Sequence, residues 1–366
     1  MARLGDIATY INGYAFKPTD WSTEGLPIIR IQDLTGNSYQ ANRYNGEYAP
    51  KYEVNYGDVL ISWSASLGVY VWRGEKALLN QHIFKVQFEQ SEIDKGFFVH
   101  QVERILDNAS GKAHGATMKH LTKPVFDALP FYLPDIETQK AIANELDGVS
   151  NLISLRKQQL SKFDELVKSR FIELFECKGF PNATIGELVA SKVSPVKKVF
   201  SSSDTIKYID ISSIDNKRNI MTGFTEYVLE DAPSRAQQHI RKGDIVVSTV
   251  RPNLKNVAIT GYDYDNLVAS SGFCVLRAEK CLPSYLMAVV CSDDFTDAMT
   301  RVVTGANYPA IKDSDVRNYV APNPPIELQE QFATFVEQTD KSKSVIQKSL
   351  EKLETLKKSL MQKYFR

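Results

Sequence analysis

Short apolar runs rich in Val, Ile and aromatic residues occur along the chain in two similar sets, each bounded by Gly or polar turns. These runs are typical of β-strands. In the first set they are residues 26–34, 58–64 and 82–88, and in the second set residues 206–214, 244–250 and 273–276. A helix is predicted after the third run of each set, at residues 95–106 and 284–299, and a Gly-containing polar loop follows each helix.

Each set is followed by a long segment in which apolar residues recur at steps of three and four. In the first segment they are Leu146, Val149, Ile153, Leu160, Phe163, Val167 and Leu174, interrupted by Arg156 and Arg170. In the second segment they are Val336, Ile346, Leu350, Leu353, Leu360 and Tyr364, interrupted by Lys343 and Lys357. This spacing predicts coiled-coil helices. Prolines at 134 and 324–325 mark the helix starts, since Pro is tolerated in a first helical turn.

The chain contains an internal repeat. Residues 4–7 recur at 185–188, a shift of 181, and residues 56–62 recur at 242–248, a shift of 186. Residues 114–116 recur at 304–306 and residues 136–139 at 326–329, both with a shift of 190. Because the landmarks keep their order and the shift only grows, the chain is two copies of one design with small loop insertions.

The predicted fold class is α+β. Two mixed α/β domains, residues 1–132 and 178–322, alternate with long helical segments, residues 133–177 and 323–366. A helix of ~40 residues is ~60 Å long and would expose its apolar stripe if unpaired, so we expect the two helices to form an antiparallel coiled coil. The two domains would then lie at opposite ends of a rigid spacer in a pseudo-two-fold arrangement, suited to a split DNA site. A coiled coil that only forms a dimer or a stalk remains the alternative.

Composition places the chain among ordinary soluble proteins, because it is 43% hydrophobic and 24% charged over 366 residues. No apolar run is long enough for a transmembrane helix, and the N-terminus lacks the apolar region of a signal peptide. The cysteines, at positions 177, 274, 281 and 291, are scattered, as reduced thiols usually are. These features favour the cytoplasm.

The charge balance argues against tight DNA binding by the isolated chain. There are 44 basic and 44 acidic residues, whereas DNA-binding proteins are usually basic. A local basic face can still exist on a neutral chain, because phosphate responds to the local field. We therefore expect a partner to supply part of the grip on a duplex.

Three features resemble a known family. They are the Pro-x-Ile-Glu-x-Gln helix starts at residues 134–139 and 324–329, the Gly-Asp strands at 57–58 and 243–244, and the C-terminal residues 356–365. Duplicated in register, they resemble the specificity subunits of type I restriction–modification systems. The resemblance covers nearly the whole chain, which is short for the family and opens almost directly at the first recognition domain, so we expect no extra N-terminal conserved segment.

The resemblance implies a protein without chemistry of its own. Such subunits carry two target-recognition domains, one for each half of a bipartite double-stranded DNA sequence. Their paired helices act as a ruler and dock two methyltransferase (modification) subunits, through which restriction subunits can join. We therefore expect no cofactor on this chain, with S-adenosylmethionine on the partner methyltransferase subunit.

Motifs for catalysis do not support an enzyme. Residues 323–325, Asn-Pro-Pro, resemble the Asn-Pro-Pro-aromatic motif of adenine methyltransferases, but Ile326 replaces the aromatic residue that would stack on a flipped base. There is no glycine-rich loop for S-adenosylmethionine, no P-loop, no His-Glu-x-x-His and no Gly-x-Ser-x-Gly. The five histidines have no metal-ligand spacing, so we expect neither a catalytic nor a metal site.

Candidate DNA-binding residues lie in the polar loops that follow the Gly-Asp strands and precede the long helices. In the first copy they are Trp63, Ser64, Ser66, Lys112, His114, Thr117, Lys119 and His120, and in the second copy Thr249, Arg251, Asn253, Lys255, Arg301, Asn307, Tyr308 and Lys312. Second-tier candidates are Tyr14, Lys17, Arg30 and Gln32. Arg251 and Asn253 are the sharpest pair, since Arg suits guanine edges and Asn suits adenine edges.

The two sets of loop residues differ almost entirely, although the scaffold around them matches. This difference is expected if each copy reads its own short DNA element. The sequence therefore predicts a non-catalytic, sequence-specific DNA-binding subunit. Two alternatives stay open: a coiled-coil scaffold that assembles other proteins without reading DNA, and an enzyme with a cryptic methyltransferase site.

Overall fold

The computed structural model describes residues 2–36, 42–64, 66–88, 92–111, 122–176, 178–305 and 309–365. The chain divides into two compact units. Unit 1 comprises Met1–Lys157 and Lys348–Arg366, and unit 2 comprises Gln158–Gln347. The boundary falls within both long helices, so each unit contains one mixed α/β part and a portion of each long helix.

Unit 1 is built from short strands and helices. Its strands are β1 (Ala2–Arg3), β2 (Thr9–Asn12), β3 (Leu26–Ile29), β4 (Arg43–Tyr44), β5 (Glu53–Val54), β6 (Val59–Ser62), β7 (Gly68–Val71), β8 (Ala77–Leu79), β9 (Ile83–Gln87) and β10 (Pro130–Phe131). Its helices are α1 (Leu4–Ile7), α2 (Ile31–Leu34), α3 (Lys95–Gly111), α4 (Lys123–Asp127) and the first part of the long helix α5 (Ile136–Phe171).

Unit 2 has a similar set of elements. Its strands are β11 (Asn182–Thr184), β12 (Thr205–Ile209), β13 (Ile214–Asp215), β14 (Ile220–Met221), β15 (Thr225–Val228), β16 (Ala236–His239), β17 (Ile245–Ser248), β18 (Val257–Ile259), β19 (Leu267–Ser270), β20 (Phe273–Leu276) and β21 (Val320–Pro322). Its helices are α6 (Ile185–Leu188), α7 (Pro283–Cys291), α8 (Asp293–Arg301), α9 (Asp313–Arg317) and most of the long helix α10 (Ile326–Tyr364).

The two units share their main strand pairings; among the described residues the β2–β9 pair occurs in unit 1 alone and the β13–β14 hairpin in unit 2 alone. In unit 1, β6 pairs with β7 and β9. A second sheet has the strand order β4-β3-β8-β5, in which β3 and β8 are parallel. In unit 2, β17 pairs with β18 and β20. The second sheet has the strand order β15-β12-β19-β16, in which β12 and β19 are parallel. A two-stranded pair closes each unit next to its long helix, β1 with β10 and β11 with β21. The predicted mixed α/β repeat is therefore confirmed.

Both long helices contribute to the core of each unit. In unit 1 the inner face of the β2–β9–β6 sheet packs on α3, on the start of α5 through Ile142 and Leu146, and on the end of α10 through Met361. In unit 2 the equivalent core takes Phe171 from the end of α5 and Phe332 from the start of α10. Burial of large apolar side chains at both positions fixes the helices to their sheets.

Within each unit the two long helices run antiparallel. In unit 1 an ion pair joins Lys157 to Glu354 at 3.1 Å, and the Tyr364 hydroxyl bonds to Glu145. In unit 2 Lys343 pairs with Asp164 at 2.6 Å, and the Arg170 guanidinium lies 6.0 Å from the Phe335 ring centre. As the residue number rises on one helix it falls on the other, which confirms the predicted antiparallel pairing.

A buried glutamine anchors the start of each long helix to the neighbouring α/β part. The Gln139 Oε1 atom accepts the backbone N–H of Asp94 at 3.0 Å, and its Nε2 donates to the Pro134 carbonyl at 2.8 Å. Gln329 repeats both bonds, to the N–H of Leu282 at 2.8 Å and to the Pro324 carbonyl at 2.9 Å. Both glutamines are only 1% exposed.

These bonds explain the Gln of the two Pro-x-Ile-Glu-x-Gln motifs. Asp94 and Leu282 immediately precede α3 and α7, whose first backbone N–H groups have no partner within their own helix. One amide therefore satisfies a helix start and closes the turn into the long helix. In unit 1 Asp135 also caps α5, because it accepts the N–H of Thr138 at 2.9 Å, and this bond lowers the pKa of Asp135.

The Gly-Asp motifs also have a structural role. Gly57 and Gly243 adopt φ values of 89° and 86°, which favour glycine, in the turns before β6 and β17. The following Asp58 and Asp244 each accept a backbone N–H three residues earlier, at 2.8 Å in both units. Asp244 is buried and also pairs with Arg277 at 2.7 Å, which raises the pKa of that guanidinium.

Three predicted elements need correction. The strands predicted at 26–34 and 206–214 end at Ile29 and Ile209, where short helical turns begin. Asp33 accepts the N–H of Arg30 at 2.8 Å, and Asp210 accepts that of Ser212 at 2.9 Å, so local capping overrides the apolar pattern. The helix predicted at 284–299 is two helices, α7 and α8, because the Ser292 hydroxyl caps the second one at Phe295.

Within the described residues, no helix is both long and apolar enough to cross a bilayer.

We predict that Gln329→Leu lowers the free energy of unfolding by about 2–4 kcal/mol, because it leaves the buried N–H of Leu282 and the Pro324 carbonyl without partners. Urea unfolding followed by circular dichroism measures the loss. Gln338→Leu, at an exposed position of the same helix, is the matched control and should change stability by less than about 0.5 kcal/mol. Equal effects of the two substitutions would contradict the anchoring role.

Candidate nucleic-acid interface

In unit 2 the structure brings together the two polar loops in which the sequence places candidate residues. The Arg251 N–H donates to the Pro309 carbonyl at 2.8 Å, and the Ile311 N–H donates to the Thr249 carbonyl at 2.9 Å. Val250 and Ala310 form an antiparallel bridge. The segment after β17 and the segment before α9 therefore form one continuous edge of unit 2.

The segment after β17 has an unusual backbone. Arg251 and Lys255 both have φ of +50°, and a short 3-10 helix, Pro252–Leu254, lies between them. A residue before proline is steered away from the ordinary helical region, and a left-handed conformation costs a non-glycine residue of order 1–3 kcal/mol. Strain of this kind is concentrated at functional sites, which singles out this loop.

Only part of this loop presents its side chains to solvent. Arg251 and Asn253 are exposed. Thr249 is buried, and its hydroxyl donates to the Gly272 carbonyl at 2.9 Å. The Lys255 ammonium forms an ion pair with Asp293, and its hydrogen bond lowers the pKa of that carboxyl. Arg251 and Asn253 therefore remain the side chains best placed to reach a ligand.

The other two described candidates of unit 2 are exposed cations on neighbouring helices. Lys312 precedes α9, where its backbone N–H donates to Asp315 at 2.7 Å. Arg301 ends α8, and a cation there complements the negative end of the helix dipole. Since α8 has nine residues, Arg301 lies ~12 Å along the helix from Asp293, the residue that holds Lys255.

In unit 1 several strand ends converge on the segment between β8 and β9. The Tyr14 N–H donates to the Leu79 carbonyl at 2.8 Å, and the Gln81 N–H donates to the Tyr14 carbonyl at 2.8 Å. The Trp63 N–H donates to the His82 carbonyl at 3.2 Å. Tyr14 and Trp63, which are far apart in sequence, thus lie along one edge of unit 1.

The first-copy candidates differ in how far their side chains are available. Trp63 packs on Phe84 in a stacked arrangement, with ring centroids 5.6 Å apart, and Ser64 is buried. Arg30 is half-buried, with its guanidinium 5.3 Å from the Trp21 ring centre, and Gln32 is half-buried in α2. The exposed candidates are Tyr14, Lys17 and Ser66.

Seven candidate residues lie outside the described residues. They are Lys112, His114, Thr117, Lys119 and His120 in the first copy and Asn307 and Tyr308 in the second.

Two segments on these edges were missed by sequence reasoning. In unit 1, Asn80–His82 carries a φ of +72° at His82, and the buried atoms Asn80 Oδ1 and His82 Nδ1 have no hydrogen-bond partner among the described residues. In unit 2, the turn between β13 and β14 is bonded to the loop at Arg251 by Asn216 and Asn219. The available signal for the latter was the polar run 215–219 between Ile214 and Ile220.

Chemistry at these edges is that of recognition. They offer guanidinium, ammonium, amide and hydroxyl groups, which bind base edges and phosphates. Among the described residues no group of three or more His, Cys, Asp or Glu side chains is placed to hold a metal ion.

Comparisons with known proteins give consistent matches. The family model described as "Type I restriction modification DNA specificity domain" matches residues 1–163 and 178–355. The chain is 25% identical to the type I restriction enzyme MjaVIII specificity subunit of Methanocaldococcus jannaschii, covering 99% of this chain and 90% of that one. It is 29% identical to the EcoBI specificity subunit of Escherichia coli, over 45% of this chain and about a third (35%) of that relative.

A solved structure shares the fold. The S subunit of a type I restriction–modification system from M. genitalium aligns with a TM-score of 0.56, at 13% identity, over all of this chain and 95% of that one.

Proposed function

This chain belongs to the type I restriction modification DNA specificity family, and from that premise we propose that it selects the DNA sequence on which a modification–restriction complex acts. One observation carries the proposal. Two units with the same main strand pairings and the same glutamine anchors present different side chains on their loop edges. A shared scaffold with different polar edges is suited to reading two different DNA elements.

Each unit is proposed to read one half of a bipartite site. In unit 2 Arg251 and Asn253 are the proposed base-reading pair, because a guanidinium can bond two acceptors of guanine and an amide can bond both groups of adenine. In unit 1 the edge formed by Tyr14, Lys17 and the segment after β8 would serve the other half. Since the outward residues differ, the two halves would differ in sequence, and the site would be asymmetric.

We further propose that the chain performs no chemistry. Methyl transfer would belong to modification subunits, which would bind S-adenosylmethionine, and cleavage would belong to restriction subunits that join the same complex. The complex would act on chromosomal DNA in the cytoplasm.

Exposed apolar residues on the long helices support docking of two copies of one partner. In unit 1 Leu155 and Leu356 are 55% and 45% exposed, and in unit 2 Leu166 and Val345 are 48% and 67% exposed. The shift of 190 residues relates Leu155 to Val345 and Leu166 to Leu356. Each pair flanks an interhelical ion pair, Lys157–Glu354 or Asp164–Lys343, at a distance of two residues.

This duplication fits a partner present twice. Contiguous exposed apolar surface marks protein–protein contact sites, and here two apolar pairs recur at equivalent positions of the repeat. Two modification subunits, one on each pair, are the proposed occupants.

The alternative is a scaffold that assembles proteins without reading DNA. The same exposed apolar pairs and the zero net charge favour it. It differs from the proposal in its DNA binding, which would be weak, independent of sequence and lost as salt rises.

We predict that deleting the gene removes one bipartite methylated motif from the source genome, with two short specific halves around a fixed gap. A modified-base map of the strain with the gene intact and deleted tests this, and restoring the gene on a plasmid is the control. Retention of every methylated motif after deletion would contradict the proposed function.

We predict that Leu155→Asp with Leu356→Asp lowers the number of modification subunits in the purified complex from two to one, because it places charge in the proposed contact of unit 1. Leu166→Asp with Val345→Asp should remove the other copy. The control is Ser154→Asp with Thr355→Asp, at exposed polar positions next to the first pair. The mass of the co-purified complex by light scattering gives the stoichiometry, and two bound copies in every variant would refute this docking surface.

A further inference from the structure

We propose that the β13–β14 hairpin of unit 2, through Lys217 and Arg218 at its tip, grips DNA phosphates beside the loop at Arg251. The proposal rests on the proposed DNA-reading function and adds a second element to its contact surface. The tip comprises residues 216–219, a polar turn that joins Ile214–Asp215 to Ile220–Met221.

Two asparagines fasten the hairpin to the loop. The Asn216 Nδ2 atom donates to the Leu254 carbonyl at 2.8 Å. The Asn219 Nδ2 atom donates to the Val257 carbonyl at 3.1 Å and to the Lys255 carbonyl at 3.3 Å. The tip is therefore held against the end of the segment that presents Arg251 and Asn253, although about 36 residues separate the two in sequence.

The turn itself is fixed from within. The Asp215 Oδ1 atom accepts the backbone N–H groups of Lys217 and Arg218 at 3.0 and 3.1 Å. Asn219 closes the turn in the left-handed region, with a φ of +54° that Asn tolerates better than most residues. Because the backbone of both cations is already ordered, a ligand has only their side chains left to immobilise.

Both cations are available to an anion. Lys217 and Arg218 are exposed, and within the described part of the chain neither forms an ion pair. Asp215, the residue before the tip, is acidic, and its Oδ1 is engaged by backbone N–H groups. Lys255, by contrast, is held by Asp293.

Exposed cations outnumber acidic groups along this edge, because Asp293 cancels Lys255 and Asp215 offsets one further cation. Lys217, Arg218 and Arg251 bring three cations to one side of unit 2, in a chain whose 44 basic and 44 acidic residues cancel. The field that a phosphate feels is local, so this edge can attract a duplex although the whole chain is neutral.

The hairpin is assigned to phosphates rather than to bases. Lys and Arg supply many of the contacts to phosphate oxygens, which position a protein on the duplex without carrying sequence information. The amides beside the two hairpin cations, those of Asn216 and Asn219, already bond to loop carbonyls. Arg251, by contrast, has the exposed Asn253 amide close by in sequence. The division of labour is then between the hairpin, which holds the backbone, and Arg251 with Asn253, which read base edges.

The test uses the complete complex with modification subunits. Lys217→Ser with Arg218→Ser is compared with Arg241→Ser with Lys280→Ser. The control pair removes the same two charges from exposed positions at the far end of the sheet. Arg241 precedes β17 and Lys280 follows β20, at the end where Ile245 pairs with Leu276. The loop begins at the other end, where Ser248 pairs with Phe273. Fluorescence anisotropy measures the Kd for a target duplex and a scrambled duplex between 50 and 200 mM salt.

We expect the hairpin variant to bind both duplexes more weakly, with an unchanged ratio between them. Loss of two phosphate contacts should make the slope of log K against log salt shallower by about 1.8. The ratio of the variant's Kd to the wild-type Kd should therefore fall about tenfold between 50 and 200 mM salt. The control pair should leave the slope unchanged, and equal thermal midpoints would show that both variants are folded.

The other outcomes are distinct. If the wild-type complex prefers no duplex over another, the proposed function fails. If the wild-type complex reads its site and the hairpin variant keeps the wild-type slope, the hairpin inference is overturned while the proposed function stands. A variant that changes the ratio between the two duplexes would also overturn the assignment to phosphates.

Discussion

The buried amides of Gln139 and Gln329 hold each long helix to its α/β part. Each amide joins the backbone before a core helix to the carbonyl of a proline at the start of the long helix. Because the bonds are buried, a shift of the long helix against its sheet would leave polar groups unsatisfied. In each unit this constraint fixes the position of the sheet, and with it the polar loops at its strand ends, relative to the long helix.

On this scaffold, some charged side chains form ion pairs within the fold and others remain exposed at the loop edges. Basic and acidic side chains pair between the long helices, as in Lys157–Glu354 and Asp164–Lys343. In the loop region of unit 2, Lys255 forms an ion pair with Asp293. Arg251 remains exposed, so a chain that is neutral as a whole can still carry a basic edge. Neutrality of the whole chain therefore says little about DNA binding by one of its edges.

The repeat, the long helices and the motif glutamines could be predicted from the sequence because each is a local pattern repeated in register. The site was harder. The buried Thr249 hydroxyl bonds to the Gly272 carbonyl 23 residues away, and the pairing of Lys255 with Asp293 spans 38 residues. The hairpin tip joins the loop only through Asn216 and Asn219, and no local pattern marks such a long-range contact.

The most direct test of two units that each read their own half is the modified-base map of a strain that carries Arg251→Gly. Glycine accepts the φ of +50° at this position, so the loop should keep its backbone while it loses the guanidinium. The thermal midpoint of the purified complex checks the fold. We predict relaxed sequence preference in one half of the methylated motif and an unchanged other half. Change in both halves, or in neither with the fold intact, would contradict the account.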